Sequence, residues 1–181
     1  MIESYGRKDG LKGLEAEYEF KGEELYIKIE GTNSFIDGIM DILAWPRKKY
    51  NSKKIHRFWF KQSEKFANFL KTKKELKKVK TIVVIGHSMG GANASLLPLF
   101  MPNKKFIISL INSPKVGNKI LTDWLHLNSD LIAFYDKGDI VRHLPLFYHK
   151  FYKNKEYDRT RPFWKAHANF PKSWTNFFKE R

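Results

Sequence analysis

The chain has 181 residues, 42% of them hydrophobic, with fifteen Phe, eight Tyr and five Trp. That is enough apolar mass for a single domain over 1–181 and excludes a disordered chain. It has no cysteine, which excludes disulfides, thiolate metal sites and a cysteine nucleophile. A formal net charge of +15 predicts attraction to nucleic acid, anionic phospholipid or acidic cell-wall polymer, although a lysine-rich solvated surface gives the same figure.

In chain order, residues 1–8 hold no apolar leader segment, and nowhere do eighteen apolar residues run together. The expectation is a soluble chain, cytoplasmic as made; a phage-borne or released protein would look the same. Alternation over 15–20 and 24–30 about Lys21-Gly22-Glu23 predicts two short strands. Ile36, Ile39, Met40 and Leu43 fall at helical spacing until Pro46 stops the segment. Residues 47–54 read as a basic loop, and a helix is expected from about Lys61 to Lys74. The lysine-dense run from Lys71 to Lys80 covers its end and the approach to a buried strand at 80–85.

That strand leads into Gly86-His87-Ser88-Met89-Gly90-Gly91, which fits the Gly-x-Ser-x-Gly nucleophile elbow. The turn must be sharp enough to thrust the serine out alone, and a Cβ at Gly86 or Gly90 would strike the strand or the next helix. The helix starts near Gly90 and ends or kinks at Pro98. Residues 106–111 and 131–135 read as further core strands, separated by a helix over 119–126. From Asp136 onward the chain is aromatic-rich without periodicity. Apolar strands alternating with helices predict an α/β fold with a mostly parallel central sheet and helices on both faces.

A serine hydroxyl needs a base to take its proton and an acid to hold that base. In sheets of this kind the three follow in the order Ser, Asp or Glu, His. Asp139 stands just after the third core strand, with Asp136 as a near competitor that could instead cap turn amides. Three histidines follow. His143 and His149 come so soon after Asp139 that the loop would have to double back at once, whereas His167 allows a proper return. His87, inside the elbow, is expected to lie buried and directed away from the nucleophile. For the oxyanion, the Met89 N–H at the helix N-terminus is one donor, and Thr32, after the second short strand, can offer another.

Five segments in order resemble the class 3, fungal-type triacylglycerol lipases of the α/β-hydrolase superfamily. Gly31-Thr32-Asn33-Ser34 resembles the oxyanion loop, and Lys54-Ile55-His56-Arg57-Phe58 a Val-His-x-Gly-Phe strand end, with arginine where glycine is usual. The elbow departs from Gly-His-Ser-Leu-Gly-Gly-Ala only at Met89. Asn112-Ser113-Pro114-Lys115-Val116-Gly117-Asn118 resembles Gly-x-Pro-Arg-Val-Gly-Asn, and Asp139 to Pro145 the acid loop Asp-x-Val-Pro-x-Leu-Pro.

The resemblance implies Ser88 as nucleophile, Asp139 as acid in preference to Asp136, and Thr32 with Met89 as the oxyanion hole. It implies that His149 lies near the substrate cleft without being the base, which leaves His167 for that role; His87 joins His149 in the substrate-binding set. It also implies a lid, for which the stretch from Phe35 to Trp45 stands in place; an ordinary packed helix fits the same pattern. The expected activity is hydrolysis of acylglycerol or phospholipid acyl esters without metal or organic cofactor. Lipid or ester is the expected partner, with peripheral contact to an anionic membrane surface through the lysines and no role for nucleic acid. An amidase using the same triad, or an inert basic binding protein on a hydrolase fold, are the alternatives. Oligomeric state is left open.

Overall fold

The computed structural model describes residues 1–6, 14–31, 47–151, 154–157 and 177–178. Its framework is a seven-stranded sheet in the order β1 (Glu3–Tyr5), β2 (Glu15–Lys21), β3 (Glu24–Glu30), β6 (Thr81–His87), β7 (Lys105–Ile111), β8 (Asp130–Asp136) and β9 (Asn154–Tyr157). The first three strands pair antiparallel, and β3 through β9 run parallel. A separate hairpin joins β4 (Arg47–Tyr50) to β5 (Lys53–His56). The helices are α1 (Arg57–Lys71), α2 (Met89–Leu96) and α3 (Lys119–Asn128).

Side-chain alternation sorts the two faces of the sheet. Leu25, Ile27, Ile29, Ile82, Val84, Phe106, Ile108, Leu110, Leu131 and Ala133 share one buried cluster with residues of all three helices. Tyr26, Val83, Ile85 and Ile111 form a second cluster with Phe177. Helix α1 presents Trp59, Phe60, Ser63, Phe66, Ala67 and Leu70 as its buried stripe. Helix α2 is buried along its whole length, as befits an element wedged under the sheet and covered by α1. The mostly parallel α/β sheet is the one expected.

Three local expectations change. Residues 47–54 form a hairpin rather than a basic loop. Asn51 and Ser52 both take positive φ (42° and 51°), the two-residue turn that matches strand twist, and Lys48 and Tyr50 pack on the Phe60 ring at 3.9 and 5.4 Å. Helix α1 begins four residues early, because Trp59 and Phe60 already belong to its buried stripe, and ends at Lys71, where the Thr72 hydroxyl donates to the Phe69 carbonyl at 2.7 Å. The aperiodic C-terminal region contributes β9, paired with β8 beyond Ala133. The stretch from Phe35 to Trp45, expected as lid or packed helix, lies outside the described residues.

Candidate active site

Parallel strands β3, β6, β7 and β8 end along one edge of the sheet, where loops of an open α/β fold assemble their chemistry. The chain turns there from β6 into α2 through Ser88, whose φ of 53° and ψ of −126° lie in a region that L-residues rarely occupy. Such a conformation costs about 1–3 kcal/mol and persists only where its surroundings enforce it. They do so here. The Ser88 N–H donates to the Ile111 carbonyl at 2.9 Å, and its own carbonyl accepts from Gly91 at 2.9 Å and Ala92 at 3.2 Å.

The glycines explain why this turn closes. A Cβ on Gly86 would meet the Gly90 carbonyl oxygen at 2.4 Å, and one on Gly90 would meet the Ile29 carbonyl oxygen at 2.3 Å. Helix α2 therefore rests directly on both β6 and β3. Met89 follows Ser88 as the first helical residue, so its N–H has no intrahelical acceptor and stands at the positive end of the helix. A Cβ on Gly31 would fall 2.9 Å from the Ser88 Cβ and 3.4 Å from His87 Nδ1. The loop that starts at Gly31 thus leaves β3 directly against the serine. Thr32, the next residue, lies outside the described residues, as does His167.

A continuous set of backbone contacts joins the remaining segments. Asn112, at φ 48°, receives the end of β7; its N–H donates to the Phe134 carbonyl and its Oδ1 accepts the Asp136 N–H, both at 2.9 Å. Asp136 in turn accepts the Gly138 N–H on Oδ1 at 3.1 Å, and its carbonyl accepts the Asp139 N–H at 3.0 Å. Asp139 is buried and accepts the Val141 N–H on Oδ1 at 2.9 Å. Lys115 N–H donates to Leu144 O at 2.7 Å, and His149 N–H to Gly117 O at 2.8 Å. On the other side, the His56 N–H donates to Val116 O at 3.1 Å, and the His56 ring stacks on Trp59 with centroids 4.0 Å apart.

Ser88, Asp139, His87 and Met89 are all buried along this edge, while His149 is half-buried and turns its Nδ1 onto the Lys150 carbonyl at 3.0 Å. Asp136 is the last residue of β8 and Asp139 lies in the loop after it, so the choice between them is one of role: the Asp136 N–H ties the strand end to Asn112, and Asp139 sits three residues farther on. The sequence motif assigns Asn112 no role of its own; an asparagine directly after a core strand is the signal, since Asn tolerates positive φ. The motif likewise gives no role to Lys115. It is buried, its ammonium reaches the Leu146 carbonyl at 3.5 Å, and burial followed by the charge of Lys150 lowers its pKa.

The sequence model of lipase (class 3) matches residues 26–149, which takes in most of β3, the turn at Ser88 and the loop after β8. A lipase of Rhizopus niveus is 31% identical over 142 residues, an alignment covering 69% of this chain and 36% of that protein, and the Rhizopus oryzae lipase gives the same figures. The chain thus spans little more than a third of the length of the curated relatives it matches. Among solved structures, the nonglycosylated lipase of Yarrowia lipolytica superposes with a TM-score of 0.72 at 18% identity, covering 87% of this chain and 67% of its own. The mono- and diacylglycerol lipase of Aspergillus oryzae does so at 0.68 and 23%, covering 88% and 63%. These two likenesses establish the fold.

Proposed function

Because the chain belongs to the class 3 lipase family, we propose that it is a serine hydrolase of carboxylic esters, acting on acylglycerol or related acyl-lipid substrates from one domain over 1–181. The observation that carries this reading is Ser88, held at φ 53° between β6 and α2 with the first amides of the helix beside it. A nucleophile elbow accounts for a non-glycine residue at that conformation with glycines packed on both sides. The relatives and neighbours described above are lipases, which supports lipid esters as the substrate class.

In this reading the Ser88 Oγ attacks the ester carbonyl while His167 takes its proton. Charge develops on the carbonyl oxygen, where the Met89 N–H and Thr32 donate to it. His167 then protonates the departing alcohol, and Asp139 holds the imidazole in the right tautomer and stabilises its cation. Water, deprotonated by His167, releases the acid from the acyl-enzyme. His87 and His149 flank the substrate cleft. The basic surface supports peripheral contact with anionic lipid.

The test is hydrolysis of soluble p-nitrophenyl esters of increasing chain length, with and without prior treatment by a fluorophosphonate. Turnover lost on labelling, an adduct on Ser88 and a Ser88→Ala variant that is folded but inactive are expected. Turnover that survives in Ser88→Ala would overturn the mechanism, and amide cleavage in preference to ester cleavage would reassign the substrate class.

A further inference from the structure

The densest lysine run does not face the site. Lys74, Lys77, Lys78 and Lys105 lie at or just before the N-terminal ends of β6 and β7, whereas Ser88 follows the C-terminal end of β6. Seven strand residues separate the two edges, about 20 Å of sheet. A lipid surface held by those lysines alone would leave the serine turned away.

The site edge has a different feature. The chain turns at 145–148, closed by the Tyr148 N–H donating to the Pro145 carbonyl at 3.2 Å, and the two residues at its tip are Leu146 and Phe147. They are 69% and 83% exposed. Turn tips ordinarily carry Gly, Asn, Asp, Ser or Pro, and two large apolar side chains projecting together into water mark a surface that something else covers. Ile140, 48% exposed in the same loop, adds to it.

The tip is braced from behind. Lys115 N–H holds Leu144, Lys115 Nζ reaches the Leu146 carbonyl, the His149 N–H holds Gly117, and Tyr148 and Phe151 are buried on its far side. Basic side chains flank it. His143 and Lys150 are exposed, Arg142 lies over the Tyr135 ring at 5.3 Å, and Lys115 is buried beneath. Lys150 disfavours the charged forms of both Lys115 and His143, in each case adding to burial, so the positive charge beside the tip is carried by Lys150 and Arg142. Among the described residues, the carboxylate that acts on His143 is Asp139, which belongs to the proposed catalytic set.

We propose that the turn at 145–148 is a membrane-docking tip, in which Leu146 and Phe147 enter an anionic phospholipid surface while Lys150, with Arg142 behind it, meets its phosphates. The apolar pair supplies depth, and the cations supply the preference for negative headgroups. Because the tip and Asp139 share one loop, docking brings the ester into line with the edge that carries Ser88. The choice of partner rests on the lipid-hydrolase reading above.

The test uses the full chain in a Ser88→Ala background, so that the vesicles survive, with sedimentation on phosphatidylcholine vesicles containing phosphatidylglycerol. Leu146→Asn with Phe147→Ser should lower partitioning by roughly tenfold or more while leaving thermal stability unchanged. Since the chain has no cysteine, Phe147→Cys carries a single environment-sensitive fluorophore. Its emission should shift to the blue on those vesicles, and a label on Lys78→Cys should not. Equal sedimentation of the double variant, a parent that does not sediment, or a response at Lys78→Cys in place of Phe147→Cys would each overturn the proposal. A blue shift that follows protein concentration without lipid would overturn it in favour of self-association. Hydrolysis of a soluble ester by the parent chain is scored separately: its absence sinks the catalytic reading, and its presence with a silent tip sinks only the docking surface.

Discussion

Asn112 holds the acid loop to the end of a neighbouring strand: its side-chain oxygen accepts the Asp136 N–H at 2.9 Å while its own backbone sits at φ 48°. Both partners are fully buried. Asn112→Ala removes the acceptor and places a Cβ-bearing residue without Asn's tolerance in left-handed backbone. A loss of about 1–3 kcal/mol in denaturant unfolding is expected, together with a fall in kcat from the displaced Asp139. Unchanged stability would show that the loop is held elsewhere.

Gly31 touches the nucleophile more closely than any alanine could. With a new methyl 2.9 Å from the Ser88 Cβ, either the serine or the loop that begins at Gly31 must shift. Gly31→Ala should cost tenfold or more in turnover, since misplacement by about 1 Å costs about a hundredfold, with little change in melting temperature. Full activity would place the loop away from the reacting carbonyl.

Asp136 and Asp139 should separate cleanly under amide replacement. Asp139→Asn is expected to lower kcat by about a thousandfold or more, the loss that follows when the base takes the wrong tautomer. Asp136→Asn keeps an oxygen for the Gly138 N–H and should change kcat by less than about tenfold. The reverse pattern would exchange their roles.

His143 offers a pH prediction. Its pKa is lowered by partial burial, then by Lys150, Arg142 and Lys115, with Asp139 opposing. The folded chain therefore takes up this proton at lower pH than the unfolded chain does. As pH falls through the ordinary imidazole range the unfolded state binds it first, and stability is lost from this group on acidification. Ring-proton NMR should place the His143 midpoint below the ordinary value, and Lys150→Gln should move it part of the way back. A midpoint at or above the ordinary value contradicts the arrangement.

The hairpin at 47–56 and strand β9 show why some elements escaped the sequence. Arg47 to Lys54 is mostly charged, so no alternation of apolar residues marks it; what fixes it is the turn at Asn51-Ser52 and the packing of Lys48 and Tyr50 on Phe60, a residue of another element. Strand β9 exists because β8 offers an edge to pair with. Both depend on partners distant in the chain.

The sequence alone determined the elbow, because its requirements are local: an apolar strand, a serine between glycines, and a buried helix must be consecutive for Ser88 to reach its conformation. It likewise determined the α/β class through strand and helix periodicity, and the order of the candidate serine and acid. Only the tertiary structure decided how the motif segments meet: Gly31 against Ser88, Asn112 holding Asp136, and His149 bonded to Gly117. Only it separated the lysine-rich edge from the apolar tip at Leu146 and Phe147. Charge and hydropathy counts carry no direction, and direction appears when parallel strands bring distant loops to one end of the sheet.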